Sequence, residues 1–179
     1  MNSENILSKI SKMSEEELME LARSTSDVEM LNILAEDTDP YVRMFVAKNS
    51  SATDVILGKL SKDKKVFVRA TVAKNPTTSN RILDELADDE EWAVRCEVAQ
   101  NAQTDSDTLD KLSRDSEWSI CCFVVENANT SLKTLSFLAS SKDKNVQASV
   151  ANNPTTSSEI LDELAKSDNL AVICNVAHN

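Results

Sequence analysis

The chain has 179 residues, a formal net charge of −11 at pH 7 and a hydrophobic fraction of 41%, which is enough to build a core. One Gly and three Pro argue against disorder and against a sheet with many tight turns. The acidic balance argues against a protein that binds nucleic acid by neutralising phosphates. Four Cys without a C-x-x-C pair, and no apolar stretch for a signal peptide or membrane span, predict a cytoplasmic protein with reduced thiols.

Residues 1–25 lack the pattern that governs the rest of the chain. Ser14, followed by Glu15, Glu16 and Glu17, predicts a helix N-cap with acidic residues in the first turn. In a stack of repeats, a terminal unit that departs from the pattern covers the first exposed face of the core. We therefore expect residues 1–25 to form an N-terminal helical cap.

From residue 26 onwards the chain repeats itself every 26 residues without an insertion. Columns of Leu and Val keep this interval, and so does a column of Asn: Asn49, Asn75, Asn101, Asn127, Asn153 and Asn179. Such a period predicts stacked supersecondary units, that is, an all-α solenoid. The expected repeats cover 26–51, 52–77, 78–103, 104–129 and 130–155, with a shorter sixth repeat over 156–179.

Each repeat predicts two helices. The first, about 79–88 in the third repeat, has a narrow apolar stripe, and the second, about 91–100, is apolar over more than half its circumference. The second helices should therefore form the inner layer. Ser or Thr at the start of most repeats, as at Thr78, is the expected N-cap of the first helix. The Asn column should close the second helices, where Asn tolerates the left-handed C-cap conformation.

One position of the second helix lies in the middle of its buried arc. This position holds Arg43, Arg69, Arg95, Cys121, Gln147 and Ile173. A buried Arg needs a partner, because an unpaired charge in a low dielectric is costly. An Asp column changes to Ser in the later repeats, at Ser141 and Ser167, where the Arg column also ends. Pairing each Arg with the Asp of the next repeat predicts a ladder: Arg43–Asp63, Arg69–Asp89 and Arg95–Asp115, then Cys121 opposite Ser141. The alternative is that each Arg extends to solvent.

The segment Val68-Arg69-x-x-Val72-Ala73-x-Asn75-Pro76-x-Thr78, followed by Leu83-x-x-Leu86-Ala87-x-Asp89, resembles the leucine-rich repeat variant family. This family is similar to HEAT-like and armadillo-like α-solenoids. Over about 26–179, the resemblance implies a right-handed superhelix with short second helices, for which both α and 3₁₀ geometry stay open. Some members carry an iron–sulfur cluster on a separate Cys-rich segment, which this sequence does not contain. We therefore expect no cofactor and no metal.

Two sets of aromatic residues are candidates for binding a partner. Trp92 and Trp118 occupy one column of adjacent repeats, and each follows a Glu, in the most acidic part of the chain. Trp is a frequent interface anchor, and Glu91 and Glu117 beside it would suit a basic, apolar segment. Their helical angle favours packing between repeats as the alternative. The second set lies at predicted solvent-facing positions of the second helices and consists of Tyr41, Phe45, Phe67 and Phe123. For these, packing on the N-terminal cap is the alternative to partner contact.

No constellation of residues indicates catalysis. The sequence therefore favours a non-catalytic scaffold that presents an acidic, partly aromatic surface to a protein or a basic peptide. The alternatives are a HEAT-like nucleic-acid-processing protein and an acidic rod that mimics DNA. The first needs a basic stripe, but basic residues cluster only in 52–77, which sums to about +4, whereas 78–103 sums to about −5. Self-association through the C-terminal end is a further expectation.

Overall fold

The computed structural model describes residues 3–179, with side chains from Leu7 onwards. The first two residues of the expected cap lie outside this range. Across the described residues the protein is all-α, with fourteen helices and no strand, which confirms the predicted fold class. The helices are α1 (Ser3–Ile10), α2 (Glu15–Ser24), α3 (Val28–Leu34), α4 (Pro40–Lys48), α5 (Asp54–Leu60), α6 (Val66–Lys74), α7 (Asn80–Leu86), α8 (Trp92–Gln100), α9 (Ser106–Leu112), α10 (Trp118–Glu126), α11 (Leu132–Ala139), α12 (Lys144–Asn152), α13 (Ser158–Leu164) and α14 (Leu170–His178).

The chain divides into two compact units, Met1–Glu97 and Val98–Asn179, with the division inside α8. In the first unit α2 packs on α4 and α4 packs on α6, while α1 contacts α3. In the second unit α10 packs on α12 and α12 packs on α14, while α11 contacts α13. The second helices thus form the main packed layer of each unit, as expected of a solenoid. The repeat boundaries, the separate cap and the handedness stay predictions.

The core consists of the predicted Leu and Val columns. In the first unit, Leu57 and Leu83 on the first helices and Val46 and Val72 on the second helices are fully buried. In the second unit, Leu109, Leu135, Val124 and Val150 are also fully buried. Because these residues recur at a fixed interval, each helix pair presents the same apolar surface to the next, and stacking buries it.

The second helices correct one expectation. Each is an α-helix of nine residues, longer than the first helices, most of which have seven residues. The 3₁₀ geometry that the resemblance left open is therefore wrong for this chain. The i, i+4 spacing of Val42 and Val46, both fully buried, suits the α-helical period, in which such residues lie on one face.

Of the predicted helix N-caps, Ser14 is confirmed, whereas Thr78 is not the N-cap of its helix. Ser14 caps α2 in a full capping box with Glu17, which confirms that prediction. The N-cap of α7, however, is Ser79, one residue after the expected Thr78. The buried Thr78 instead donates its hydroxyl to Val72 O, 2.6 Å away, and so satisfies a carbonyl at the end of α6. Sequence alone could not separate these roles, because both use a Ser or Thr hydroxyl at a helix boundary.

The Asn column also acts differently from the expectation. No residue in the described part of the chain has a positive φ, and Asn75 is extended, with φ −67° and ψ 125°. The left-handed C-cap is therefore wrong. The extended backbone lets Asn75 Nδ2 reach back to the preceding repeat, where it donates to Ala47 O at 2.7 Å and Asn49 O at 3.2 Å. Its Oδ1 accepts from Thr77 N at 2.9 Å.

The same bridge recurs in both units. Asn49 Nδ2 donates to Ala22 O at 2.8 Å, and Asn127 Nδ2 donates to Ala99 O at 2.8 Å. Asn179 Nδ2 donates to Asn153 O at 2.7 Å. One side chain thus closes its own turn and ties two repeats together. This explains why Asn, rather than Gly, is repeated at this position.

We predict that Asn75→Ala destabilises the protein by about 2–3 kcal/mol, because it leaves buried backbone groups without their hydrogen bonds. The free energy of unfolding from urea titration measures this loss. Asn80→Ala is the matched control, because Asn80 is exposed in the first turn of α7. It should change stability by less than about 0.5 kcal/mol. Equal losses for the two variants would contradict a structural role for the bridge.

Candidate functional site

In the first unit, buried Arg and Asp side chains join neighbouring repeats. Arg43 Nε lies 2.5 Å from Asp63 Oδ2, and Arg43 Nη2 donates to Asp63 Oδ1 at 3.0 Å. Arg69 makes the same two contacts with Asp89, at 2.6 and 2.9 Å. In both pairs the two side chains are about nine-tenths buried. Both contacts have the bidentate geometry that makes an Arg–carboxylate pair strong and directional.

Each guanidinium also binds its own repeat. Arg43 Nη1 donates to Asp37 O at 2.7 Å, and Arg69 Nη1 donates to Asp63 O at 2.8 Å. Arg95 Nη1 follows the same rule and donates to Asp89 O at 2.7 Å. Each Arg therefore holds the loop before its own helix, and in the first unit Arg43 and Arg69 also hold the next repeat. The pair Arg95–Asp115 stays a prediction.

The Asp column has a second task that sequence reasoning missed. Asp63 Oδ1 accepts the backbone N–H of Lys65 at 2.8 Å, and Asp89 Oδ1 accepts that of Glu91 at 3.0 Å. Both bonds close a tight turn before the second helix. Ser141 Oγ keeps this bond, from Asp143 N at 3.2 Å. Replacement of Asp by Ser thus removes the charge and preserves the turn. Because Asp and Ser share a preference for such turns, their exchange within one column was the sequence signal for this second role.

Electrostatics favours the ionised form of both carboxylates. Burial of Asp63 opposes ionisation, but the hydrogen bonds from Arg43 and from the Lys65 N–H outweigh burial, so the pKa of Asp63 is lowered. The pKa of Asp89 is lowered in the same way, against its burial, by Arg69 and the Glu91 N–H. Both Asp side chains are therefore ionised at neutral pH, and each pairs with an arginine of the same chain.

The aromatic candidates fall into exposed and partly buried groups. Tyr41 and Phe67 are exposed and stack on each other, with ring centroids 5.4 Å apart and an interplanar angle of 24°. Phe45 and Phe123 are partly buried. The stack lies on successive second helices of the first unit, because Tyr41 and Phe67 are one repeat apart. The period predicted this neighbourhood, but it could not predict that the rings would meet.

The two Trp residues correct an expectation. Packing between repeats was the favoured alternative, yet Trp92 keeps 53% of its surface exposed and Trp118 keeps 49%. Each is the first residue of its helix. Glu91 is partly buried and Glu117 is exposed. Both candidate acids thus precede a half-exposed Trp, one in each unit.

A further aromatic contact was not anticipated from the sequence. The guanidinium carbon of Arg114 lies 4.4 Å from the ring centroid of Phe137, which is itself 41% exposed. A cation over an aromatic face is attracted by the ring electrons. The signal in the sequence was weak, because Arg114 and Phe137 belong to columns that hold other residue types in other repeats.

The described residues include side chains of the metal-ligating types and thiols. Within them, no group of three or more His, Cys, Asp or Glu side chains is placed to hold a metal ion. Cys96 and Cys121 are buried, and burial raises the pKa of Cys121 to about 11, so its thiol is a weak nucleophile. None of the helices in the described range is both long and apolar enough to span a bilayer.

A leucine-rich repeat variant with a novel repetitive protein structural motif has the same fold. It matches 99% of this chain and 72% of its own length, with a TM-score of 0.77 and 22% sequence identity. An engineered protein also matches, at 19% identity over 99% of this chain and 94% of its own length, with a TM-score of 0.35. No protein-family model and no curated protein sequence matches the chain.

The first of these comparisons confirms the predicted resemblance at the level of the fold. The protein is a helical repeat solenoid similar to the leucine-rich repeat variant structure. Stacked repeats create extended surfaces, and proteins of this class generally use them to bind other proteins. Fold alone does not specify the partner, so the partner has to be argued from the side chains that the repeats expose.

We predict that Arg69→Met destabilises the protein by about 3 kcal/mol, because it leaves the buried Asp89 carboxylate without its guanidinium. Asp89→Ser in the same chain should restore about 1–2 kcal/mol, because Ser keeps the turn and removes the unpaired charge. Urea unfolding of wild type, both single variants and the double variant measures the coupling. Strictly additive losses would contradict a direct pair.

The dependence of the free energy of unfolding on pH provides a second measurement for the same variants. Because the folded-state pKa of Asp89 is lowered, its contribution to stability is present above the unfolded value of about 3.9 and is lost as pH falls through the folded value. The Arg69→Met/Asp89→Ser variant should therefore lose less stability than wild type between neutral and acidic pH.

Proposed function

We propose that this protein is a non-catalytic scaffold that binds a protein partner through aromatic side chains at the starts of its second helices. The observation that carries the proposal is the half exposure of Trp92 and Trp118. Large aromatic side chains lose little conformational entropy on binding and bury much area, so an exposed Trp on a rigid helix is a favourable anchor.

The residues around the Trp side chains favour a basic, apolar partner. Glu91 precedes Trp92, and Glu117 precedes Trp118. The segment 88–91 carries four consecutive acids, and the whole chain has a net charge of −11. Acids around an apolar anchor attract a cationic partner and reject an acidic one. A segment with Lys or Arg beside a large apolar residue has the complementary chemistry.

The Tyr41–Phe67 stack supports a role in binding for the first unit as well. Tyr41 is 55% exposed and Phe67 is 37% exposed. Because each ring is held by the other, the pair presents a preformed apolar surface rather than two mobile side chains. Phe45 and Phe123 lie in one column of second-helix positions, and their partial burial makes them supporting contacts rather than anchors.

Nucleic-acid binding has weaker support. It needs a basic stripe along several repeats, and basic residues cluster only in 52–77. There, Arg69 is paired with Asp89, Lys59 Nζ lies 2.5 Å from Glu36, and Lys74 Nζ lies 3.5 Å from Glu97. Half of the six basic residues in this repeat thus face carboxylates of the same chain. An acidic rod that mimics DNA is disfavoured because the net-positive repeats 52–77 and 130–155 interrupt the acidity. Cytoplasmic location and self-association through the C-terminal end stay predictions.

We predict that the quadruple variant Trp92→Ala/Trp118→Ala/Glu91→Gln/Glu117→Gln loses its protein partner. Each Trp anchor should be worth about 2 kcal/mol of binding, so the combined change should abolish capture. The experiment immobilises wild type and the variant side by side, identifies proteins retained from a lysate, and then measures the affinity of the purified partner for both.

The matched control removes two exposed aliphatic side chains and two exposed acids from the first helices: Val55→Ala/Leu132→Ala/Asp107→Asn/Asp162→Asn. This variant should retain the partner with an affinity within about threefold of wild type, because single exposed contacts away from the anchors contribute little. If wild type, quadruple variant and control retain the same proteins equally, partner binding at the Trp residues is refuted.

A further inference from the structure

At two positions of the Arg column where Arg is absent, Cys121 and Gln147, one hydrogen bond of the Arg side chain is kept. In the repeats with Arg, a nitrogen of the side chain donates to the carbonyl six residues earlier. Cys121 Sγ keeps this contact with Asp115 O at 3.7 Å, and Gln147 Nε2 keeps it with Ser141 O at 2.8 Å. Gln147 thus replaces the half of the guanidinium that binds its own repeat. The other half, which in Arg43 and Arg69 binds the next repeat, has no counterpart in Gln147.

Gln147 lines a groove in the second unit. Helices α11, α12 and α13 line a groove of about 500 Å³ whose wall includes Gln147 and Ser167. The equivalent groove of the first unit has a similar volume of about 510 Å³, and its wall includes the Arg43–Asp63 pair. The two grooves are equivalent in the repeat. They differ in that the first contains a satisfied ion pair and the second contains an amide and a hydroxyl.

Gln147 Oε1 is the acceptor that this difference leaves over. The atom is buried, and no donor in the described part of the chain forms a hydrogen bond with it. Ser167, at the position of Asp63 and Asp89, uses its Oγ to accept the backbone N–H of Asn169 at 3.2 Å. Because a buried carbonyl oxygen without a donor is unfavourable, a group that enters the groove and donates an N–H gains this bond at no loss to the protein.

The charges of the groove indicate which donor fits. Glu159 and Glu163 line it, together with Lys144 and Lys166. Lys144 Nζ lies 3.0 Å from Asp168, and Lys166 Nζ lies 2.7 Å from Glu163, so both lysines are matched by carboxylates. These two ion pairs do not involve Glu159, the other acidic residue of the lining. Ile160 and Leu164 supply an apolar base on which a planar group can lie. The groove therefore favours a planar, cationic donor.

We propose that this groove, lined by α11, α12 and α13, binds a guanidinium group supplied by an arginine side chain of the partner. The incoming group takes the place that the chain's own arginine occupies in the earlier repeats: it donates to Gln147 Oε1 and pairs with the Glu159 carboxylate. A guanidinium suits the groove better than an ammonium, because its planar fork donates in several fixed directions and is weakly hydrated. The inference rests on the proposed binding of a basic segment and assigns one anchor of that segment.

The test uses the full-length protein and three short acetylated, amidated peptides that differ at one central residue: arginine, lysine or citrulline. Citrulline preserves the shape of arginine and lacks its charge. NMR titration at low salt follows the side-chain amide signals of Gln147. The arginine peptide should shift these signals and bind about tenfold more tightly than the citrulline peptide, with lysine between them. Methylguanidinium alone, as a fourth probe, should bind more weakly than the arginine peptide, because it lacks the rest of the side chain and the peptide backbone.

Three variants, one expected to tighten binding and two expected to weaken or block it, make the test specific. Ser167→Asp restores the carboxylate without its arginine and should tighten binding of the arginine peptide about tenfold. Gln147→Arg/Ser167→Asp rebuilds the internal pair of the earlier repeats and should block the peptide, while the protein stays folded by circular dichroism and thermal unfolding. Gln147→Met, which removes the acceptor and keeps the length, should weaken binding.

The outcomes separate this proposal from the proposed function. The Trp92→Ala/Trp118→Ala/Glu91→Gln/Glu117→Gln variant should bind the short arginine peptide like wild type, because none of the four residues lines the groove. Equal binding of the arginine and citrulline peptides, or unchanged binding by Gln147→Arg/Ser167→Asp, would overturn the guanidinium site. Absence of any shift at Gln147 with all probes would mean that water alone satisfies Oε1, which would overturn it too. None of these results would affect partner capture through the Trp residues.

Discussion

The architecture depends on an asparagine amide that crosses from one repeat to the next. Asn75 Nδ2 reaches the carbonyls at the end of the preceding second helix, while Asn75 Oδ1 closes the turn that follows its own helix. The last carbonyls of a helix have no partner within the helix, and burial would make them costly. One side chain satisfies them and fixes the spacing of two repeats. A fixed spacing in turn keeps the Leu and Val columns aligned, so that stacking buries them without gaps.

The Arg–Asp pairs add directional contacts between repeats of the first unit. In the second unit the Arg is replaced, and the replacement changes which polar groups are left over. Arg43 and Arg69 bind the loop of their own repeat and the carboxylate of the next. Gln147 retains only the first of these bonds, and its Oε1 is left buried without a donor in the described residues. A structural interaction in one part of the chain thus becomes a candidate binding site in another, because the repeat preserves the position while the side chain changes.

The period carried most of the predictable information. The 26-residue interval predicted the all-α stack and the buried columns, because equal spacing and equal burial go together in a solenoid. It did not predict that Asn75 is extended, that Thr78 closes the previous helix rather than capping the next, or that Trp92 is half exposed. These features depend on backbone angles and on side-chain direction at helix ends, where one residue of offset changes the role. The column predicted that Tyr41 and Phe67 are neighbours, but it did not predict that their rings stack.

Hydrogen exchange of the asparagine side chains tests the inter-repeat bridge most directly. The Nδ2 protons of Asn75 and Asn127 are bonded to carbonyls of the preceding repeat, whereas Asn80 and Asn152 are exposed. NMR should find that the first two exchange at least about a hundredfold more slowly than the second two, because their exchange requires opening of the stack. Exchange of all four at the same rate would contradict a structure in which these amides hold neighbouring repeats together.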